Sequence, residues 1–147
     1  MTTNEILARL PYTYPFLFVD ELIEVSDEMV SGNYTFKPDE FFYSGHFKNM
    51  PVTPGVILIE TMAQIGLVCL GMYLFRDELA RSEQPEIAFL TADAEFLAPV
   101  FPGEKVIVQA EKIYFRFNKL KCKVDMRNSR DELVCTGTLS GFIKFKK

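Results

Sequence analysis

One stretch of the chain decides the fold: residues 55–75 read GVILIETMAQIGLVCLGMYLF and are apolar almost throughout. As a helix this stretch would be about 30 Å long, which is enough to cross a bilayer. Three polar side chains, Glu60, Thr61 and Gln64, interrupt its first half, and the sequence has no second stretch of this kind. A helix of a soluble protein that is apolar on every side is buried on every side. We therefore predict a buried core helix rather than a membrane span.

The segments on either side of this helix have the composition of β-strands, with Phe, Val and Ile in runs separated by turn-forming residues. The predicted strands are Phe16–Val25, Met29–Phe36, Glu86–Phe96, Lys105–Phe117, Leu120–Arg127 and Leu133–Phe145. A short helix over Glu5–Leu10 precedes them, a long loop covers Pro38–Pro54, and a polar loop covers Arg76–Pro85. One long buried helix with about six strands is an α+β pattern, in which an antiparallel sheet wraps the helix.

Composition limits the class of protein. The 147 residues, 1–147, fit one domain, and a hydrophobic content of 48% is enough for a core. The formal net charge of −4 argues against general nucleic-acid binding. Cys69, Cys122 and Cys135 lie far apart in apolar runs without metal-ligand spacing, so we expect buried thiols in a reducing compartment. The N-terminus has no secretory signal pattern, and a cytoplasmic protein is expected.

Basic residues are concentrated between positions 112 and 127. These are Lys112, Arg116, Lys119, Lys121, Lys123 and Arg127, against the single Asp125. The alternation of a strand predicts that the apolar residues of this region share one face and the basic residues the other. The apolar set is Ile113, Phe115, Phe117, Leu120, Cys122, Val124 and Met126. Two interpretations are open: a solvated sheet face, or a landing surface for an acidic partner protein.

The candidate site is built on the only histidine, His46, which lies in the long aromatic loop. Fourteen residues later Glu60 stands inside the apolar helix, where burial of an unpaired carboxylate is costly and would raise its pKa. Gln64 follows one turn later and could hydrogen-bond the Glu60 carboxyl. Gly55, just after Pro54, leaves a backbone N–H open at the positive end of the helix. Taken singly, each feature also has a purely structural interpretation.

Together these groups suit the removal of water from a β-hydroxyacyl thioester. That reaction needs a base at the α-carbon, an acid at the β-hydroxyl and a donor for the enolate oxygen. A neutral imidazole suits the first task, so we assign it to His46. Glu60, protonated or acting through a water, suits the second. The Gly55 amide suits the third in the manner of an oxyanion hole.

At this point the residues resemble a known family, the β-hydroxyacyl-[acyl-carrier-protein] dehydratases of fatty acid synthesis. The matching motifs run over nearly the whole chain in order: LPYTYPFLFVD at 10–20, GHF at 45–47, PVTPGV at 51–56, ETMAQ at 60–64 and FLAPVFPGE at 96–104. The resemblance implies a hot-dog fold and a dimer in which His46 of one subunit faces Glu60 of the other, with three dimers often forming a hexamer. It also implies that the backbone near Val52 orients the imidazole and that no metal or organic cofactor is used.

The resemblance further implies that the acyl chain lies in an apolar tunnel along the dimer interface. The substrate would arrive on the phosphopantetheine arm of an acyl carrier protein, and Lys119, Lys121, Lys123 and Arg116 are the candidate docking residues. The chain departs from the family pattern at Tyr12, Lys48-Asn49, Thr53 and in the non-basic Glu95–Ala98. These departures leave a specialised polyene or polyketide pathway as open as housekeeping lipid synthesis. Two rival functions also remain, a hot-dog acyl thioesterase and a non-catalytic acyl-binding subunit.

Overall fold

The computed structural model describes residues 1–81 and 84–145. Its central element is a continuous helix, Gly55–Leu74, whose segments are α2 (Gly55–Ala63), a π-helical segment (Gln64–Cys69) and α3 (Leu70–Leu74). Two short helices accompany it in the sequence: α1 (Thr3–Ala8) precedes the central helix, and α4 (Arg76–Ala80) follows it. The strands are β1 (Glu21–Val25), β2 (Met29–Thr35), β3 (Pro85–Phe96), β4 (Lys105–Arg116), β5 (Lys119–Asn128) and β6 (Leu133–Phe145).

The strands form one six-stranded sheet in the order β1-β2-β4-β5-β6-β3, and every neighbouring pair is antiparallel. On β5 the alternation holds as predicted, because Leu120, Cys122, Val124 and Met126 are fully buried on the core face. The sheet and its single long helix confirm the α+β prediction and the hot-dog architecture that the resemblance implies. The predicted bounds of β6 are reproduced, and those of β2, β3, β4 and β5 differ by one residue at an end or at both ends.

The central helix lies against the sheet, and 78% of its most apolar window is buried. A Cβ added to Gly66 would lie 3.1 Å from the Cβ of Ala110 and 3.2 Å from a methyl of Val124, so helix and sheet approach closely there. Every residue of the π-helical segment is buried. The helix is therefore a core element, as predicted. The widened π turn inside it was not predicted.

Two predicted segments differ from the structure. The strand predicted over Phe16–Val25 begins only at Glu21, because the side-chain amide of Gln64 binds the backbone before it. Gln64 accepts from the N–H of Phe18 at 2.8 Å and donates to the carbonyl of Phe16 at 3.0 Å. The predicted loop over 76–85 contains α4, whose Leu79 is buried in the core. Ser82 and Glu83 of that loop lie outside the described residues.

The predicted alternation on β4 is confirmed for Phe115 and Arg116 and wrong for Ile113 and Phe117. A bulge shifts the register between Lys112 and Tyr114, so that Phe115 faces the core while Tyr114 and Arg116 turn outward. Phe117, predicted on the buried face, lies in the turn after the strand and is 92% exposed. Ile113 is consequently half exposed rather than buried. A single inserted residue reverses which side chains face the core, because strand side chains alternate with a period of two.

Candidate active site

The loop over 38–54 is a platform of irregular structure held by specific contacts. The Phe42 ring packs edge-on against Phe18 and Phe36, with ring centroids 6.3 Å apart in both pairs. The hydroxyl oxygens of Tyr43 and Thr53 lie 2.6 Å apart in a buried hydrogen bond, and the Thr53 N–H donates to a backbone carbonyl at 2.9 Å. These contacts give the loop a defined shape, so that it can present a side chain in one orientation.

His46 is held at this platform by Val52. Its Nδ1 atom lies 2.9 Å from the Val52 carbonyl oxygen, and the Val52 N–H donates to the His46 carbonyl at 2.9 Å. A carbonyl oxygen can only accept, so Nδ1 carries a proton in this hydrogen bond, and in the neutral form of the ring the lone pair is then on Nε2. The ring of Phe47 stacks on the imidazole, with centroids 3.9 Å apart. The arrangement orients the imidazole and selects the tautomer in which Nε2 can act as a base.

Glu60 lies on the first turns of the central helix, where it is held by Gln64. The Gln64 Nε2 atom donates to Glu60 Oε2 at 2.9 Å, which is the hydrogen bond that the spacing of the two residues predicts. Burial raises the pKa of the Glu60 carboxyl, and the hydrogen bond from Gln64 opposes that rise. The carboxyl therefore holds its proton to a higher pH than an exposed glutamate, as a general acid must.

Gly55 is the first residue of the central helix, and the preceding Pro54 provides no side-chain cap. Within the described residues, no hydrogen-bond acceptor is found for the Gly55 N–H. A groove passes over this amide, and its walls are formed in part by Leu58 and Phe96. A Cβ added to Gly55 would lie 2.9 Å from the Phe96 ring, so a side chain there would require the ring to shift. An open amide at a helix N-terminus can bind developing negative charge.

An apolar cavity of about 230 Å³ begins at Glu60 and continues along the helix. Its walls include Leu67 and Val68 of the helix and Leu120 and Phe142 of the sheet, with the polar lining contributed by groups such as Tyr12 and Glu60. The mainly apolar lining of this cavity suits an aliphatic or unsaturated acyl chain. His46 lines neither this cavity nor the groove at Gly55. Within one chain, His46 contacts Val52 and Glu60 contacts Gln64. The two candidate catalytic groups, His46 and Glu60, do not line the same cavity of that chain.

The basic residues lie on the outer face of the β4–β5 hairpin, where three of them surround one aromatic ring. The Arg116 guanidinium, the Lys119 ammonium and the Lys121 ammonium lie 4.4, 5.8 and 6.0 Å from the centre of the Tyr114 ring. Lys123 differs from them, since its ammonium binds the Asp125 carboxylate at 2.7 Å. Lys112 likewise binds the Glu28 carboxylate, at 3.2 Å. The predicted stripe thus contains a cluster of three cations and two separate ion pairs.

Several features of the site were not predicted from the sequence. In the sequence, Tyr12 is notable only as a departure from the family pattern, whereas the structure places Tyr12 in the cavity beside Glu60. Burial and the nearby Glu60 raise the pKa of the Tyr12 phenol, so it stays a hydrogen-bond donor. Phe96 against Gly55 could not be foreseen, because the two residues are far apart in the sequence and no local pattern links them. The bulge that exposes Tyr114 has no sequence signal either.

Comparison with known proteins identifies the family. The family model described as the FabA-like domain matches residues 10–137. A 3-hydroxyacyl-[acyl-carrier-protein] dehydratase FabZ of Caldicellulosiruptor bescii is 34% identical over 142 residues, which cover 96% of this chain and 97% of that protein. The FabZ of Ehrlichia canis is 30% identical over 147 residues, which cover 96% of this chain and 94% of that protein.

Solved structures show the same architecture. The dehydratase heterocomplex ApeI:P from Xenorhabdus doucetiae gives a TM-score of 0.77 at 17% identity, covering 98% of this chain and 92% of that one. A hypothetical thioesterase with coenzyme A from Streptococcus pneumoniae gives a TM-score of 0.60 at 14% identity, with coverage of 86% and 87%. At such identities the likeness establishes the fold alone. Together with the family match over residues 10–137, these findings show that the chain belongs to the FabA-like family and has its hot-dog fold.

Proposed function

We propose that the chain removes water from 3-hydroxyacyl thioesters carried on an acyl carrier protein and releases trans-2-enoyl thioesters. The names of its FabZ relatives describe this activity. The observation that carries the proposal for this chain is the state of the two candidate catalytic groups. His46 has Nδ1 bound to the Val52 carbonyl and Nε2 free, while Glu60 has a raised pKa and opens into an apolar cavity.

The proposed reaction uses both groups and one backbone amide. Nε2 of His46 removes a proton from the α-carbon, and the electron pair of that C–H bond moves into the thioester as an enolate. The Gly55 N–H, at the positive end of the central helix, stabilises the enolate oxygen. As the enolate collapses to the enoyl thioester, the β-carbon to oxygen bond breaks. Glu60 donates its proton to the departing hydroxyl, which leaves as water.

We further propose that the working site forms between two copies of the chain. Strand β3 is an end strand of the sheet and, within residues 1–81 and 84–145, pairs only with β6 along its 12 residues. Its residues Phe89, Leu90 and Phe96 are between 43% and 52% exposed, which is unusual for a long free edge. Pairing of two β3 strands would cover this edge and could bring His46 of one copy to Glu60 of the other. Assembly of three such dimers remains a prediction of the resemblance.

Mixing of inactive variants tests the shared site. His46→Ala and Glu60→Gln are each expected to abolish hydration of an enoyl thioester while leaving the protein folded. If each site uses His46 from one subunit and Glu60 from the other, the mixed dimer contains one intact site. Coexpression of the two variants with different affinity tags, followed by purification of the mixed dimer, should restore about half of the wild-type activity per dimer. Absence of any restored activity in a folded mixed dimer would place both residues in one subunit's site.

The carrier protein is proposed to dock on Arg116, Lys119 and Lys121. These three cations have no carboxylate partner among the described residues, so they remain available to an acidic surface. Lys123 contributes less, because it already binds Asp125. Charge reversal at Lys119 and Lys121 together should raise the KM for a carrier-bound substrate and reduce its salt dependence. An unchanged KM and salt dependence would exclude these residues from docking.

A single assay separates the rival functions. A thioesterase releases free thiol, whereas a dehydratase changes the absorbance of the enoyl group and leaves the thioester intact. A non-catalytic acyl-binding subunit does neither, and it should bind acyl chains equally well after His46→Ala. We assign the activity to fatty acid synthesis or a related polyene or polyketide pathway in the cytoplasm, where the three buried free thiols are compatible with reducing conditions.

A further inference from the structure

The tip of the β4–β5 hairpin carries an exposed aromatic residue in an unfavourable backbone conformation. The two-residue turn consists of Phe117 and Asn118, with φ angles of 52° and 63°. Turns with positive φ at both positions favour Asn and Gly, while a bulky side chain is disfavoured there. The Phe117 side chain is 92% exposed, so it gains almost no packing in return. Phenylalanine at position 117 therefore does not stabilise the folded chain, and its presence needs another explanation.

Phe117 does not stand alone on this surface. It directly follows Arg116 at the tip of the hairpin whose outer face carries Tyr114. The Tyr114 ring is surrounded by Arg116, Lys119 and Lys121 at 4.4 to 6.0 Å. We call these five residues the hairpin surface. By contrast, Lys112, which lies earlier on β4, forms an ion pair with Glu28 at 3.2 Å. The hairpin surface thus combines two aromatic rings with three cations for which no carboxylate partner is found among the described residues.

The fold creates this surface by a local irregularity. Before the bulge in β4, Val106, Val108 and Ala110 face the core at alternate positions. Continued alternation would turn Tyr114 and Arg116 inward as well. The bulge after Lys112 turns both residues outward beside the lysines of β5. Bulges re-aim side chains in this way and are common next to functional sites.

The hairpin surface also adjoins the apolar cavity. Leu120 lies between Lys119 and Lys121 but points to the opposite face of the strand, where it lines the cavity that contains Glu60. Phe142, the cross-strand partner of Lys119, lines the same cavity. A protein seated on the hairpin surface would thus lie across one layer of sheet from the site into which its acyl chain must enter.

We propose that Phe117 is the apolar anchor by which the carrier protein is held on the hairpin surface, its ring entering an apolar recess between acidic residues of the partner. This inference rests on the proposed function. The cations steer an acidic partner to the surface, and a desolvated aromatic side chain surrounded by polar contacts then slows its release. An anionic bilayer is the other surface that cations and an exposed ring could contact, but three cations and a single ring tip hold a bilayer only weakly.

The variant Phe117→Asn tests the anchor without straining the turn. Asparagine adopts positive φ angles more readily than phenylalanine, so the melting temperature of the variant should equal or exceed that of the wild type. The KM for crotonyl thioester on a bacterial acyl carrier protein should rise about tenfold relative to the KM for crotonyl pantetheine. Ile23→Asn is the matched control, because Ile23 is 56% exposed on β1, at the far end of the sheet from β3. It should leave the ratio of the two KM values unchanged.

Each other outcome has a definite meaning. If the wild-type chain hydrates neither crotonyl substrate, the proposed function fails. If it hydrates crotonyl pantetheine and Phe117→Asn leaves the KM ratio unchanged, the anchor is refuted while the proposed function stands. The anchor is likewise refuted if Phe117→Asn alters only the sedimentation of the protein with vesicles of phosphatidylglycerol and phosphatidylcholine. An equal rise in the KM ratio for Ile23→Asn would also contradict it, since the effect would not be specific to the hairpin.

Discussion

The side-chain amide of Gln64 connects the acid of the site to the N-terminal segment of the chain, since its Nε2 lies 2.9 Å from Glu60 Oε2. The same nitrogen donates to the carbonyl of Phe16 at 3.0 Å, and the Oε1 atom accepts from the N–H of Phe18 at 2.8 Å. One buried residue thus satisfies two backbone groups and orients the carboxyl that we propose as the catalytic acid. We therefore expect stability and activity to depend on the same three hydrogen bonds.

Replacement of Gln64 by methionine should destabilise the protein by about 2–4 kcal/mol, because a buried N–H and a carbonyl lose their partners at about 1–3 kcal/mol each. Urea denaturation measures the loss. Thr61→Val is the control: Thr61 is equally buried, but its hydroxyl only donates to the Ile57 carbonyl at 2.8 Å within the helix. Removal of the Thr61 hydroxyl should lower the free energy of unfolding by much less. If both variants lose the same free energy of unfolding, the hydrogen bonds from Gln64 to the backbone of Phe16 and Phe18 contribute no more than the single bond of Thr61.

Replacement of Glu60 by glutamine should abolish activity and stabilise the protein in a pH-dependent way. Burial raises the pKa of Glu60 in the folded state, so the folded protein binds this proton more tightly than the unfolded chain and stability falls as pH rises through that pKa. Below about pH 4 both states are protonated and the effect vanishes. The difference in melting temperature between variant and wild type should therefore grow from pH 4 to pH 8. A difference independent of pH would contradict the raised pKa.

The contact between Gly55 and Phe96 predicts a rescue. Gly55→Ala brings a methyl group to 2.9 Å from the Phe96 ring, so that either the ring or the start of the helix must shift. We expect kcat/KM for an enoyl thioester to fall by about tenfold or more, because small displacements of an oxyanion donor are costly. Phe96→Leu in the Gly55→Ala background should restore part of the activity. Purely additive effects of the two substitutions would show that the two residues act independently.

Gly137 should tolerate no side chain, because a Cβ there would lie 2.3 Å from the Asp93 carbonyl oxygen of the paired strand β3. Backbone cannot move aside as a flexible side chain can, so Gly137→Ala should cost about 3 kcal/mol. Gly45→Ala is the control, since no atom lies within 4 Å of the added methyl. Thermal unfolding compares the two variants. A melting temperature for Gly137→Ala close to that of Gly45→Ala would show that β3 and β6 separate easily at this point.

Local sequence patterns determined the elements of this fold. The apolar run from Gly55 onward predicts one core helix, and the alternation from Leu120 to Met126 predicts one buried face of β5. Both predictions succeed because burial acts with the period of the element, which neighbouring residues reveal. The positions of His46, Glu60 and Gly55 were also foreseeable as candidates. A lone histidine, a carboxyl in an apolar helix and a glycine after proline are local anomalies.

Only the tertiary structure decided how these elements act on one another. The late start of β1 depends on Gln64, a residue some 46 positions away from Phe18 in the sequence. The bulge in β4 exposes Ile113, which the sequence predicts on the buried face, and no local pattern indicates a single inserted residue. The long free edge of β3 follows from the order of strands in the sheet. These features come from contacts between distant segments, whose energies depend on how the whole chain packs rather than on the spacing of neighbouring side chains.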